Sequence, residues 1–168
     1  DVAFSIELCV NPLAGGCTKA GQLMDIVGAK EYVDGSASSI SGLDYSDPSV
    51  IKITTLAPNA PLLDTLTETW ILHKASLGQV PVDQINGNEY WGKVAIGTGP
   101  FKLQSYVPGQ YMELVRFDNY FRGAPLLEKL IRRHFQDPAT ALLAFDRGEI
   151  DFAYVTADEV ERETANEN

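Results

Sequence analysis

Apolar residues change their spacing along the chain, and each change predicts a different element. Val2, Phe4, Ile6, Leu8 and Cys9 crowd the first nine residues and suit the end of a helix. Residues 22–34 predict a second helix, running from Gln22 to Tyr32 and closed by Asp34-Gly35 in the manner of a C-cap. After the polar stretch 36–41, Ile40, Leu43 and Tyr45 lead into Asp47-Pro48-Ser49, and the alternating, β-branched segment 50–56 follows. Two strands around that turn make a hairpin. Pro61 opens a helix through Leu62, Leu63 and Leu66. Residues 75–95 are rich in Gly, Asn and Asp and predict an extended surface loop with a short helix at best.

From Phe101 the pattern turns to strands. Phe101, Leu103 and Tyr106 precede Pro108-Gly109, and Tyr111, Met112, Leu114 and Val115 follow it. Pro presets φ and Gly accepts positive φ, so this dipeptide predicts a tight turn between strands 101–106 and 111–116. Residues 129–135 predict a further strand. Asp137 then caps a helix with Pro138 at its first position, ending at Arg147-Gly148. A last strand is expected over 150–155, which would make strand, helix and strand a right-handed parallel crossover. The tail from Asp158 is charged and is expected to fray.

Composition narrows the picture. The 168 residues are 45% hydrophobic, enough for a folded core. Lys plus Arg number 13 against 23 Asp plus Glu, a formal charge of −10, which repels phosphate backbones and argues against nucleic acid as a partner. The chain has neither an apolar run of membrane-spanning length nor a leader-like start, and it begins in what reads as helix. The expectation is a piece of a longer protein.

Cys9 and Cys17 bracket a loop containing Pro12 and Gly15-Gly16, which lets the chain double back so that the sulfurs can meet as a disulfide. That pairing suits an exported protein. Two buried free thiols remain open as the plainer reading. A zinc site is poorly supported, since no His lies near the pair.

The order of several phrases carries more than any one of them. Asp1-Val2-Ala3-Phe4-Ser5 precedes Gly28-Ala29-Lys30-Glu31-Tyr32, then Ser41-Gly42-Leu43, then Pro58-Asn59-Ala60-Pro61. Gly97-Thr98-Gly99-Pro100-Phe101, Phe117-Asp118-Asn119-Tyr120-Phe121-Arg122-Gly123 and Gly148-Glu149-Ile150-Asp151-Phe152-Ala153-Tyr154 follow. In this order the set resembles the extracellular solute-binding proteins of family 5, which hand peptides, and sometimes nickel or sugars, to ABC importers. The resemblance implies an α/β (mixed α+β) lobe of the periplasmic-binding-protein type II kind, with a mixed sheet, flanking helices and part of the family's extra small subdomain. It implies that residues 1–95 belong to that accessory subdomain and its return, and that 96–157 form the central part of the sheet of the first lobe. Departures from the pattern are the lack of the second lobe and a Cys9–Cys17 loop longer and richer in Gly than the family's usual one.

The same resemblance implies a substrate-binding component outside the cytoplasmic membrane, extracellular or periplasmic and lipid-anchored in the parent protein. Its expected partners are a peptide or other small solute and the membrane permease subunits, with a monomeric parent and no cofactor. A ligand-sensing or chaperone-like domain on the same lobe is the alternative. Tyr154 is the first candidate for ligand contact, since it ends the Gly-Glu-Ile-Asp strand where open α/β sheets bind ligands. Val155 and Thr156 would offer backbone hydrogen bonds to a peptide, as an added strand does.

Other residues read as structural. Glu149 and Asp151 form a carboxylate pair at strand spacing, but the family carries them without catalysis, and no Ser stands in a nucleophile-elbow context to support a hydrolase. His73 and His134 lack partners at ligand spacing, so neither catalytic nor metal-binding residues are expected. Arg132-Arg133-His134 would alternate between sheet faces and form no basic patch. Trp70 and Trp91 are expected to anchor loops to the core, and Asn119, Tyr120 and Phe121 to pack beneath the sheet.

Overall fold

A computed structural model describes residues 1–15, 17–157, 159, 160 and 164. Most of the charged tail expected to fray therefore lies outside the described residues. The chain divides into two compact units, Asp1–Gly99 and Pro100–Asn168.

The first unit is organised by α1 (Val2–Val10), apolar almost all round and therefore buried on two sides. Ile6 and Val10 join Leu23, Ile26, Ala29, Ile40 and Leu43 in one cluster. Leu8 joins Ala14 and Ile85 in a second, with Phe4, Leu72, Val80, Val82 and Trp91 packed against it. Ile6, Leu23, Ile26 and Ile40 are among the most fully enclosed side chains, each worth about 1.5–3 kcal/mol in removed apolar surface. The helix stops at Asn11, whose extended backbone precedes Pro12. The Asn11 side chain accepts from the Leu13 amide at 3.0 Å and opens a 3-10 turn, Pro12–Ala14.

The single helix expected over 22–34 is instead two short ones, α2 (Ala20–Leu23) and α3 (Ala29–Val33). The residues between them are drawn into extended pairing. Ile26 bridges Thr55, the Val27 amide donates to Thr54 O at 2.9 Å, and the Leu56 amide to Asp25 O at 2.9 Å. Gly42 ties the other side, its amide donating to Val27 O and its carbonyl accepting from Thr54, both at 2.8 Å. These tertiary bonds override helical propensity, and Gly28 makes the break at φ +81°.

The expected hairpin is present but short. Its ladder consists of β1 (Leu43–Asp44) and β2 (Lys52–Ile53), antiparallel, with an Asp44–Lys52 ion pair at 3.6 Å. Residues 54–56 continue by bonding to 25–27 and 42 rather than as strand. Next comes α4 (Leu62–Thr67), with Pro61 at its N-cap.

Residues 75–95 are not an open loop. They contain α5 (Lys74–Leu77), a 3-10 turn at Val82–Gln84 and α6 (Tyr90–Lys93), with Leu77, Ile85 and Tyr90 buried. Trp91 anchors this segment as expected, donating from Nε1 to Ile85 O at 2.7 Å. Trp70 does not, being 82% exposed. Periodicity missed the segment because three helical turns, each under five residues, never complete a repeat.

The second unit is a three-stranded antiparallel sheet in the order β3-β4-β5, with β3 at Phe101–Val107, β4 at Tyr111–Arg116 and β5 at Lys129–Arg133. Pro108-Gly109 makes the first hairpin, with Gly109 at φ +71° and Val107 opposite Tyr111. A register shift between Leu103 and Ser105 marks a bulge. Then α7 (Pro138–Asp146) starts as its sequence dictates: Asp137 Oδ1 accepts from the Thr140 amide at 2.8 Å, Pro138 takes the first turn, and Gly148 at φ +68° ends it. Leu142 and Ala144 are its buried residues.

Two expectations for this unit fail. Residues 150–155 form no strand and pair with no described strand, so among the described residues the parallel crossover is not formed and the sheet is antiparallel throughout. An apolar run encodes strand conformation, whereas a ladder requires a neighbouring backbone, which no described residue supplies. Phe121 does not pack beneath the sheet; it is 73% exposed, with the Tyr120 ring edge-on and the Arg122 guanidinium 5.3 Å from its centroid.

Candidate ligand-binding surface

Beyond β5 the chain turns sharply through Phe135, Gln136 and Asp137 into α7, because Asp137 must take extended geometry (φ −142°, ψ 154°) to cap the helix. That turn, the first turn of α7 and the returning segment 150–156 enclose a shallow cleft of about 220 Å³, lined by Phe135, Gln136, Asp137, Pro138, Ala141 and Tyr154. Tyr154 is 80% exposed and meets Phe152 edge-on, centroids 5.1 Å apart at 82°. Val155 is also exposed. Thr156 is half-buried and donates from Oγ1 to Glu159 Oε2 at 2.6 Å. The three predicted residues thus lie consecutively, with Tyr154 alone of them lining the cleft.

The electrostatics at this rim are set by Asp137. Hydrogen bonds from Thr140, chiefly its backbone N–H and then its hydroxyl, hold the Asp137 carboxyl below the usual carboxylate range. It is therefore a full negative charge at neutral pH. Phe135, Pro138 and Tyr154 supply apolar surface in the same cleft. A ligand fitting this rim presents apolar or aromatic surface, with amide or cationic groups toward Asp137.

Sequence reasoning picked Tyr154 but passed over Phe152 and the Phe135–Pro138 turn. The legible signal was Asp137-Pro138: a capped helix start forces its preceding residues into a tight turn.

A larger depression of about 570 Å³ lies at the end of the sheet, lined by Gly109, Gln110, Tyr111, Glu113, Ile131, Arg133 and His134. Arg133 stands opposite Tyr111 in the ladder and lies 3.9 Å from Glu149. Glu149 is therefore an ion-pair partner of Arg133. His134 donates its backbone amide to Gln110 O at 2.7 Å, and His73 Nδ1 lies 2.7 Å from Ser76 Oγ within the first turn of α5. Among the described residues no group of three or more His, Cys, Asp or Glu side chains is placed to hold a metal ion. Cys9 and Cys17 form a disulfide, with their Cα atoms 4.9 Å apart.

Residues 1–168 match, from end to end, the family described as bacterial extracellular solute-binding proteins, family 5 middle region. The chain belongs to that family. A relative named as an ABC transporter peptide-binding protein, from Brucella ovis, is 40% identical over 123 residues, 73% of this chain and 23% of its own length. The oligopeptide-binding protein AppA of Bacillus subtilis is 37% identical over 94 residues, 56% of this chain and 17% of its own. The chain thus spans under a quarter of the length of these family 5 relatives. Among solved structures, lactococcal OppA with an endogenous peptide matches at TM-score 0.88 and 21% identity, over 99% of this chain and 32% of that one. NikZ of Campylobacter jejuni with Ni(L-His) matches at TM-score 0.76 and 26% identity, over 100% and 30%. These likenesses establish the family 5 fold for this chain.

Proposed function

We propose that the protein containing this chain is the solute-capturing component of an ABC importer, working extracellularly or in the periplasm, lipid-anchored, and carrying out no covalent chemistry. Residues 1–95 belong in this reading to the family's accessory subdomain, and 96–157 to the central sheet of its first lobe. The solute is a peptide or similar small molecule, as the names of the Brucella and Bacillus relatives suggest. Delivery to permease subunits follows, with a monomeric parent.

The observation that carries the ligand reading is the segment 150–155. Its aromatics are exposed, and its backbone N–H and C=O groups bond to no described residue. Such a segment offers main-chain hydrogen bonds to an extended peptide, with Tyr154 as an aromatic wall and Val155 and Thr156 continuing the edge. Closure of two lobes over the ligand would complete the site. Calorimetric titration of the full-length protein with mixed di- to nonapeptides tests the proposal. Saturable binding supports it. Failure to bind peptide, sugar or metal chelate removes the transport reading. A transmembrane helix fused to a signalling domain in the full reading frame would favour the sensor alternative instead.

A further inference from the structure

The Cys9–Cys17 disulfide sits between the two clusters of the first unit. Cys9 lies on α1 and packs against the Leu23–Ile26–Ile40 cluster, whereas the loop it closes carries Ala14, a buried member of the other cluster with Leu8 and Ile85. Ala14 also accepts a 2.5 Å hydrogen bond from Asn86 Nδ2 through its carbonyl, next to Gly15 at φ +65°. The 3-10 turn Val82–Gln84, Ile85 and Trp91 therefore rest on a loop whose position the disulfide fixes. Residues 72–74 are held differently. The Leu72 amide donates to Ser5 Oγ of α1 at 2.8 Å and the Lys74 amide to Oδ1 of Asp1, the N-cap of α1, at 2.8 Å, both away from the disulfide.

We propose that the disulfide is a redox-sensitive clasp for residues 82–91, whose opening loosens that segment while the Leu23–Ile26–Ile40 cluster and residues 72–78 stay ordered. The opening reaction needs a dithiol. One of its thiolates attacks the Cys9 or Cys17 sulfur, breaking the Cys9–Cys17 bond, so that the other cysteine leaves as thiolate and a mixed disulfide remains; its second thiolate then attacks the dithiol's own sulfur in that mixed disulfide and displaces the protein cysteine. Two electrons and two protons pass to Cys9 and Cys17, and the dithiol leaves as a disulfide. With the loop released, Ala14 no longer fixes Ile85 and Asn86, and a segment of single-turn helices keeps only its packing on Phe4 and Leu8 of α1 and on Leu72. The clasp is independent of what the protein binds.

Hydrogen exchange on the full-length protein tests this, comparing the oxidised form, the same protein reduced by dithiothreitol without denaturant, and the Cys9→Ser/Cys17→Ser variant. Amides in 82–91 are expected to exchange at least about tenfold faster in both disulfide-free states, with 23–43 and 72–78 unchanged. Unchanged exchange in 82–91 overturns the proposal, as does an equal rise in 23–43. A double variant that fails to fold also overturns it, because the first cluster is then not independent. A disulfide that resists dithiothreitol in the folded protein removes the redox response.

Discussion

Gly28 lies against Ser41 so closely that a β-carbon built on Gly28 would meet the Ser41 hydroxyl and stand 2.7 Å from its backbone nitrogen. With φ at +81°, the position excludes a side chain twice, by conformation and by space. The Gly28→Ala variant should lose about 1–3 kcal/mol of stability through left-handed strain and the forced displacement of 41–42. A urea midpoint unchanged from wild type would show that the two segments separate easily.

Core position, not hydrophobicity, should decide the cost of truncation. Ile26 is 1% exposed and Leu63 75%. Ile26→Ala is expected to cost about 2–5 kcal/mol, and Leu63→Ala to stay within about 0.5 kcal/mol, in chemical denaturation. Equal losses would mean that Leu63 is covered in the whole protein.

Removing the disulfide by Cys9→Ser/Cys17→Ser should lower stability by about 2–3 kcal/mol, the chain-entropy value for so short a loop, given a sequence separation of 8. Non-reducing mass spectrometry should find the wild type two protons lighter than its dithiol. Two alkylatable thiols in the oxidised protein would contradict the pairing.

The start of α7 should be acid-sensitive. The Asp137 carboxyl is held below its ordinary value by the Thr140 hydrogen bonds, so its contribution is complete above the unfolded value of about 4 and is lost as pH falls through the lower folded value. Asp34, Asp44 and Asp47 shift in the same direction through serine hydrogen bonds, so global acid melting would mix all four. The Thr140 amide is the local probe. Its protection should fall on acidification below about pH 4, and Asp137→Asn, which keeps the acceptor without the charge, should flatten that dependence. Identical profiles would show that Asp137 does not hold the cap.

Tyr154 separates the ligand reading from a structural one. In the full-length protein, Tyr154→Ala should weaken peptide binding about 5- to 150-fold, or roughly 1–3 kcal/mol, if the ring is buried against ligand. Affinity within twofold together with lowered stability would place Tyr154 in the protein's own packing and outside the site.

The sequence by itself determined those features whose physics is local. Pro108-Gly109 sets a hairpin because its residues prefer the needed dihedrals, and Asp137-Pro138 starts α7 because side chain and ring suit the cap. The order of such short phrases also sufficed for the family. Tertiary structure alone decided where one backbone needs another. Residues 25–27 abandon helix because Thr54, Thr55 and Leu56 exchange bonds with them; the turns between 74 and 93 exist because Leu8 and Ala14 cover Ile85. Residues 150–155 have strand composition yet pair with no described strand, since propensity sets only a preference and a neighbouring edge makes it a strand.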